Sequence, residues 1–128
     1  MNLRQAFLCF GLIVVVAIFG VGAYAYWVSR PLPFDAVVWL QGERADFSSN
    51  APRLRMADDL ISTGALMGKS RADIASTLGP PTDTSKFRDY DLVYWLGAER
   101  SFISIDSEWL AVRFDSTGAV SEASVVRD

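Results

Sequence analysis

"EWLAVRFDSTGAVSEASVV", residues 108–126, decides the fold class. Leu110, Val112 and Phe114 alternate with Trp109, Ala111 and Arg113, the period of a strand with one face on a core. Ser116-Thr117-Gly118 supplies a tight turn with glycine where φ > 0 is needed, and Ala119–Val126 returns as the next strand. The neighbourhood also raises a chemical question, because Asp106, Glu108 and Asp115 fall within ten positions. An aspartic-protease signature places glycine directly after the hydroxyl residue that follows the aspartate. Here Asp115-Ser116-Thr117-Gly118 is one residue too long, and no second matching motif supplies the paired carboxylate that such catalysis needs. Aspartate, serine and glycine are also the residues that turns use, so Asp115 reads as turn chemistry.

Asp106 and Glu108 stand two apart. On one strand they would share a face at about 6–7 Å, a separation that suits a glycosidase pair. Charged residues at a strand start are also commonly solvated. A small hydrolase using Asp106 and Glu108 therefore stays an alternative.

Outward from the hairpin, "YDLVYWLG" (Tyr90–Gly97) is aromatic and β-branched, and "SFISID" (Ser101–Asp106) alternates; both read as strands. Upstream, Arg53–Leu66 carries Leu54, Ala57, Leu60 and Ile61 near one helical face, with Gly64 weakening its end. In Gly68–Thr82, Ser70 and Asp73 form a capping-box start, Ile74, Ala75 and Leu78 an apolar face, and Gly79-Pro80-Pro81 a stop. Ala36–Gly42 is a short apolar patch, read as an edge strand or a segment lying on the core, and Glu43–Pro52 as a loop. Two short helices followed by antiparallel strands predict an α+β domain in ααβββ order, with both helices packed on a sheet of three or four strands.

The first quarter differs. Ala6–Val28 has no charge and no proline, and at about 1.5 Å per residue it reaches roughly 30–35 Å, enough to cross a hydrocarbon core. Tyr24, Tyr26 and Trp27 gather at its end, as amphipathic rings do at a membrane boundary. Residues 7–28 are the expected membrane contact of an N-terminal transmembrane helix. A cleaved signal is the rival, since Ala23-Tyr24-Ala25 satisfies the small-x-small rule; the length of the run and the bulky rings favour a retained anchor. Cys9, the single cysteine, stands near the start of the run, away from where a lipoprotein needs it. The expected organisation is 1–29 anchor or signal peptide, 30–52 linker and extended segment, and 53–128 the α+β domain. With Arg4 on the cytoplasmic side, the remainder is exported.

From Arg30 onward, eleven basic residues face fifteen acidic ones, net −4, a soluble surface without the basic stripe of a nucleic-acid binder. Histidine is absent, which removes the commonest general base and metal ligand. No phosphate-cradling glycine loop or nucleophile elbow occurs in the exported part. No catalytic residue, metal or cofactor is expected. Aromatic residues suggest binding instead. Tyr90, Tyr94, Trp95 and Trp109 lie on strands whose alternation does not let every ring face one core, and rings left on the second sheet face would form a partner platform. Alternatively, Ala36–Leu40 covers that face.

The succession G-K-S-x₇-L-G-P-P-T (Gly68–Thr82), "YDLVYWLG" and "EWLAVRFDSTGAV" resembles the small BamE/SmpA/OmlA-like envelope domains, which are similar in architecture to the repeats of β-lactamase inhibitor protein. The matching residues are Gly68, Ser70, Leu78, Gly79, Pro81, Tyr94, Trp95, Leu110, Val112, Phe114, Asp115, Gly118 and Val120, and the resemblance spans about Leu54–Val126. It implies a two-helix, three-strand domain in the bacterial envelope that acts by binding. Two departures stand out: an apolar segment replaces the family's lipobox, and Gly97–Glu108 is a long insertion. The expected function is a membrane-anchored, single-pass, non-catalytic domain, periplasmic, that binds another envelope protein in envelope assembly or maintenance. An inhibitor or immunity-type binder, inserting a loop such as Ala98–Ile105 into an exported enzyme, is the alternative.

Overall fold

The structure is a computed structural model that describes residues 2–42 and 51–128. The chain divides into two units, Met1–Arg30 and Pro31–Asp128. The loop expected at Glu43–Pro52 falls largely outside the described residues.

The first unit is one helix, α1 (Leu3–Ser29). Asn2 caps it: its side-chain oxygen accepts from the Gln5 amide at 3.0 Å, and the Gln5 side chain accepts in return from the Asn2 amide at 3.0 Å. Its mean hydropathy is 2.7 and none of its residues is buried. A helix apolar on every side and with no buried residue suits a hydrocarbon solvent, and 27 residues suffice to cross one. Such a helix near the amino terminus is also compatible with a signal sequence. At its end the Arg30 guanidinium lies over the Trp27 ring, 4.6 Å from the centroid.

The second unit is α+β, with helices preceding strands: α2 (Ala36–Gln41), α3 (Pro52–Ser62), α4 (Arg71–Leu78), β1 (Leu92–Ala98), β2 (Ser107–Phe114) and β3 (Val120–Arg127). The sheet is three-stranded and antiparallel in the order β1-β2-β3. Both helices foreseen upstream of it are present. Pro52 opens α3, where its missing N–H costs nothing. Ser70 caps α4, its hydroxyl accepting from the Asp73 amide at 3.2 Å, and Gly79 ends it at φ +78°. The positive φ favours glycine there, and a Cβ would also push aside the half-exposed Leu40 side chain, whose Cδ2 it would meet at 2.8 Å.

Alternation along the strands creates two apolar layers. Leu92, Tyr94 and Leu96 of β1 join Leu110 and Val112 of β2 beneath the helices, with Trp39, Leu54, Leu60, Ile74 and Leu78 above them. On the opposite face Val93, Trp109 and Ala111 form a second cluster. β2 is buried from Glu108 to Val112 because it is the central strand and both of its faces are covered.

Of the two readings of Ala36–Gly42 the structure keeps the segment lying on the core, and it removes one expected strand. Ala36–Gln41 is a helix because Asp35 Oδ1 accepts from the amides of Val37 and Val38, at 2.9 and 3.1 Å, supplying the cap that starts it. It buries Trp39 in the helix-side core, so it does not cover the second face. Before it, residues 31–35 form no helix or strand; the Leu32 amide donates to Arg55 O at 3.0 Å, and Leu32 and Phe34 pack on the core. Ser101–Asp106 is not a strand. β1 and β2 pair directly, ending at Ala98 opposite Ser107, so alternation there meets no partner edge.

Candidate functional site

The second face of the sheet is built from the small polar-to-aromatic switch after α4. Trp95 and Trp109 stand directly opposite on β1 and β2 and share this face. The Phe87 ring lies on Trp109, with centroids 5.7 Å apart and planes tilted by 58°. Phe87 holds φ at +57°, a conformation that costs a non-glycine residue and that places its ring on the sheet. Tyr90 flanks the cluster under the Arg113 guanidinium, 4.3 Å from its centroid. Arg113 is itself fixed by Glu122 Oε2 at 3.1 Å and by Asp89 O at 3.1 Å. A shallow groove of about 320 Å³ runs along Pro81, Thr84, Lys86, Phe87, Tyr90 and Val93.

The four aromatic residues singled out from sequence do not lie together. Tyr90 and Trp95 are half-buried on the second face. Trp109 is on that face but only 7% exposed, roofed by Phe87. Its indole Nε1 is buried without a hydrogen-bond partner among the described residues. Tyr94 is a correction: it points to the helix side, 1% exposed, edge-on to Trp39 at 6.2 Å, and its hydroxyl donates to Gly79 O at 3.1 Å. The reason is strand parity, since Tyr94 shares a face with Leu92 and Leu96 whereas Trp95 shares one with Val93. Burial pushes the Tyr94 phenol up to about 12, with the charges of Arg53 and Arg71 working against that rise.

The carboxylates separate as well. Asp106 is exposed and lies outside β2, with its backbone carbonyl accepting from the Glu99 amide at 2.9 Å. Glu108 is fully buried, not solvated. Its Oε2 meets Arg100 Nη2 at 2.7 Å, and its Oε1 accepts from the Arg100 amide at 3.0 Å and from Arg127 Nη2 at 3.1 Å. Arg100 also grips Asp58 on α3 with both terminal nitrogens, and Arg127 pairs with Glu99 at 3.1 Å. Burial alone would raise the Glu108 pKa; the hydrogen bonds from Arg100 and the charges of Arg100 and Arg127 outweigh it and hold the carboxyl below its usual range. A carboxylate so held is a structural anion and donates no proton near neutral pH. Asp115 is the turn residue expected, accepting from the amides of Thr117 and Ala119 at 2.8 and 3.1 Å. Among the described residues, no group of three or more His, Cys, Asp or Glu is placed to hold a metal ion.

Two features of this surface had weak signals in the sequence. Phe87 is a ring inside the polar run "DTSKFRD", the pattern of a side chain folded back onto an apolar face. Arg100, Glu108 and Asp58 had no local signal, because their grouping depends on α3 crossing the sheet. No family, curated protein or solved structure matches this chain.

Proposed function

We propose that the chain is a membrane-anchored, single-pass protein whose second unit faces the periplasm and acts by binding another envelope protein. The observation that carries this reading is the second sheet face: it has an aromatic cluster of its own, with Tyr90 and Trp95 half-exposed at its surface and, among the described residues, no helix laid across it. Aromatic rings at such a surface supply large contact area at low entropic cost, which is the usual chemistry of a protein-binding hot spot. The apolar α1 supports the anchor, and Arg4 before it supports a cytoplasmic amino terminus. The likeness of Gly68–Thr82 and Glu108–Val120 to BamE-like domains supports an envelope role; those residues make a cap, a helix stop and a hairpin turn, so they speak to architecture first.

The reading is tested with the full chain in native membranes. A phosphatase fused after Asp128 is expected to be active only if the carboxyl end is exported. Cross-linking is expected to capture one membrane partner, and Tyr90→Ala with Trp95→Ala to abolish that capture while leaving the melting temperature within a few degrees. An inactive fusion, or a partner set that the two substitutions leave unchanged, overturns it.

A further inference from the structure

Between β1 and β2 the chain runs out over residues 99–106. At the tip Phe102, Ile103 and Ile105 are 103%, 66% and 81% exposed, the most exposed large apolar side chains of the second unit among the described residues. Ser101–Ile105 carries no charge. The polar groups of the loop turn inward: Ser101 Oγ donates to Ile103 O at 2.7 Å, Ser104 Oγ to Glu99 O at 2.7 Å, and the Ser101 amide to Glu99 O at 3.0 Å. At the base, Arg100 ties the loop to Asp58 and Glu108. The tip is thus apolar, projecting and held in shape before anything touches it, so covering it loses little conformational freedom.

We propose that the Phe102–Ile105 tip inserts into the interfacial layer of the lipid bilayer that α1 crosses, a proposal that rests on the anchor reading above. Chain length argues for this occupant. α1 ends at Ser29 and the Leu32 amide is already bonded to Arg55 of the second unit, so only Arg30 and Pro31 lie between, a reach of about 10 Å at most. A unit tethered so closely never leaves the neighbourhood of the surface. Insertion becomes an intramolecular event, and three side chains that hold a free domain only weakly are enough to orient a tethered one. Phenylalanine and isoleucine partition favourably into bilayers, and no ionic group has to follow them. The charged residues Glu99, Arg100 and Asp106 flank the tip. The second unit is acidic overall, so apolar burial and not headgroup attraction supplies the driving force, and zwitterionic and anionic lipids should serve alike.

The test uses the full chain with Cys9→Ala in phosphatidylcholine nanodiscs, spin-labelled singly at Ile103→Cys. Labels at Phe19→Cys on α1 and Ala72→Cys on the exposed side of α4 serve as lipid and water references. Collision with oxygen and with a nickel chelate is read at each. The Ile103 label is expected to shift from the Ala72 value toward the Phe19 value, in phosphatidylglycerol discs as well. Phe102→Ser with Ile105→Ser should return it to the Ala72 value without changing the melting temperature. A nickel-accessible Ile103 label beside a lipid-like Phe19 label overturns insertion alone. A label shielded from both reagents shows a protein contact and overturns it too. A water-like Phe19 label overturns the anchor reading and insertion with it.

Discussion

Strand β2 is entered and left through two very different connections. Downstream, the chain reverses within Asp115–Ala119. Asp115 Oδ1 takes the amides of Thr117 and Ala119 and the Thr117 hydroxyl, and Gly118 provides φ +81°. Each group this turn needs lies within five residues. Upstream, residues 99–106 are anchored by Glu108 just beyond them on β2 and by two groups far away in sequence, Asp58 on α3 and Arg127 on β3. The short turn is polar and satisfies itself. The long loop is charged at its base, apolar at its tip, and depends on the rest of the fold for its shape. A connection that only reverses the chain can be local; one that presents a surface borrows its rigidity from elsewhere.

The largest test of this contrast is Glu108→Ala. It leaves two guanidinium groups and the Arg100 amide facing a void, and is expected to cost about 3 kcal/mol, at the low end for a broken buried pair because both arginines retain contact with water. Urea unfolding followed by near-ultraviolet circular dichroism measures it, and a loss below about 1 kcal/mol would mean the base of the loop is not held as described. The same pair fixes a pH dependence. Because Glu108 is held below its ordinary value of 4.5, the unfolded chain takes up this proton at higher pH than the folded one. Its contribution is complete above about 4.5 and is lost as pH falls below that toward the folded value. Glu108→Gln should shallow that acid-side slope; an unchanged slope would assign it to other groups, among them Asp115 and Asp128, whose carboxyls are also depressed.

Next in size is Gly118→Ala, which forces a side chain into φ +81° and should cost about 1 kcal/mol. Asp115→Ala should act in the same direction by releasing the turn amides. Either change is expected to leave the loop tip as it is, since the two connections share no partner; altered Ile103 label mobility in Gly118→Ala would break the comparison. The smallest effect belongs to Phe102→Ser with Ile105→Ser. These side chains are almost wholly exposed, so stability should stay within about 0.5 kcal/mol of the parent chain. A clear loss would show that the tip packs on its own fold.

The contrast also explains what could be read from the residues alone. The hairpin, the Ser70 cap, the Gly79 stop and the α+β order were legible because each is written by neighbours. The identity of α2 turned on a single aspartate cap in front of an apolar run that suits a strand equally well. Tyr94 was misplaced because both faces of Tyr90–Leu96 carry apolar residues, so alternation alone does not say which parity meets the helices. "SFISID" has strand periodicity without a partner edge, and periodicity cannot report a missing partner. Glu108 was read as solvated because strand alternation does not announce that Arg100 folds back onto it or that Arg127 of the last strand meets it. Of the surface proposed for binding, Tyr90, Trp95 and Trp109 were visible in advance, while Phe87, which roofs Trp109, was not.

Arg53 has one more consequence. Its Nε donates to Trp39 O at 2.6 Å, its Nη1 to Trp95 O at 3.0 Å, and its guanidinium lies over the Trp39 ring at 4.7 Å. One side chain therefore clasps the leading segment and the first strand together. Within the second unit, α2 cannot peel away from the sheet without breaking one of these bonds, so the segment that opens the unit and the strand at the sheet's edge resist separation together.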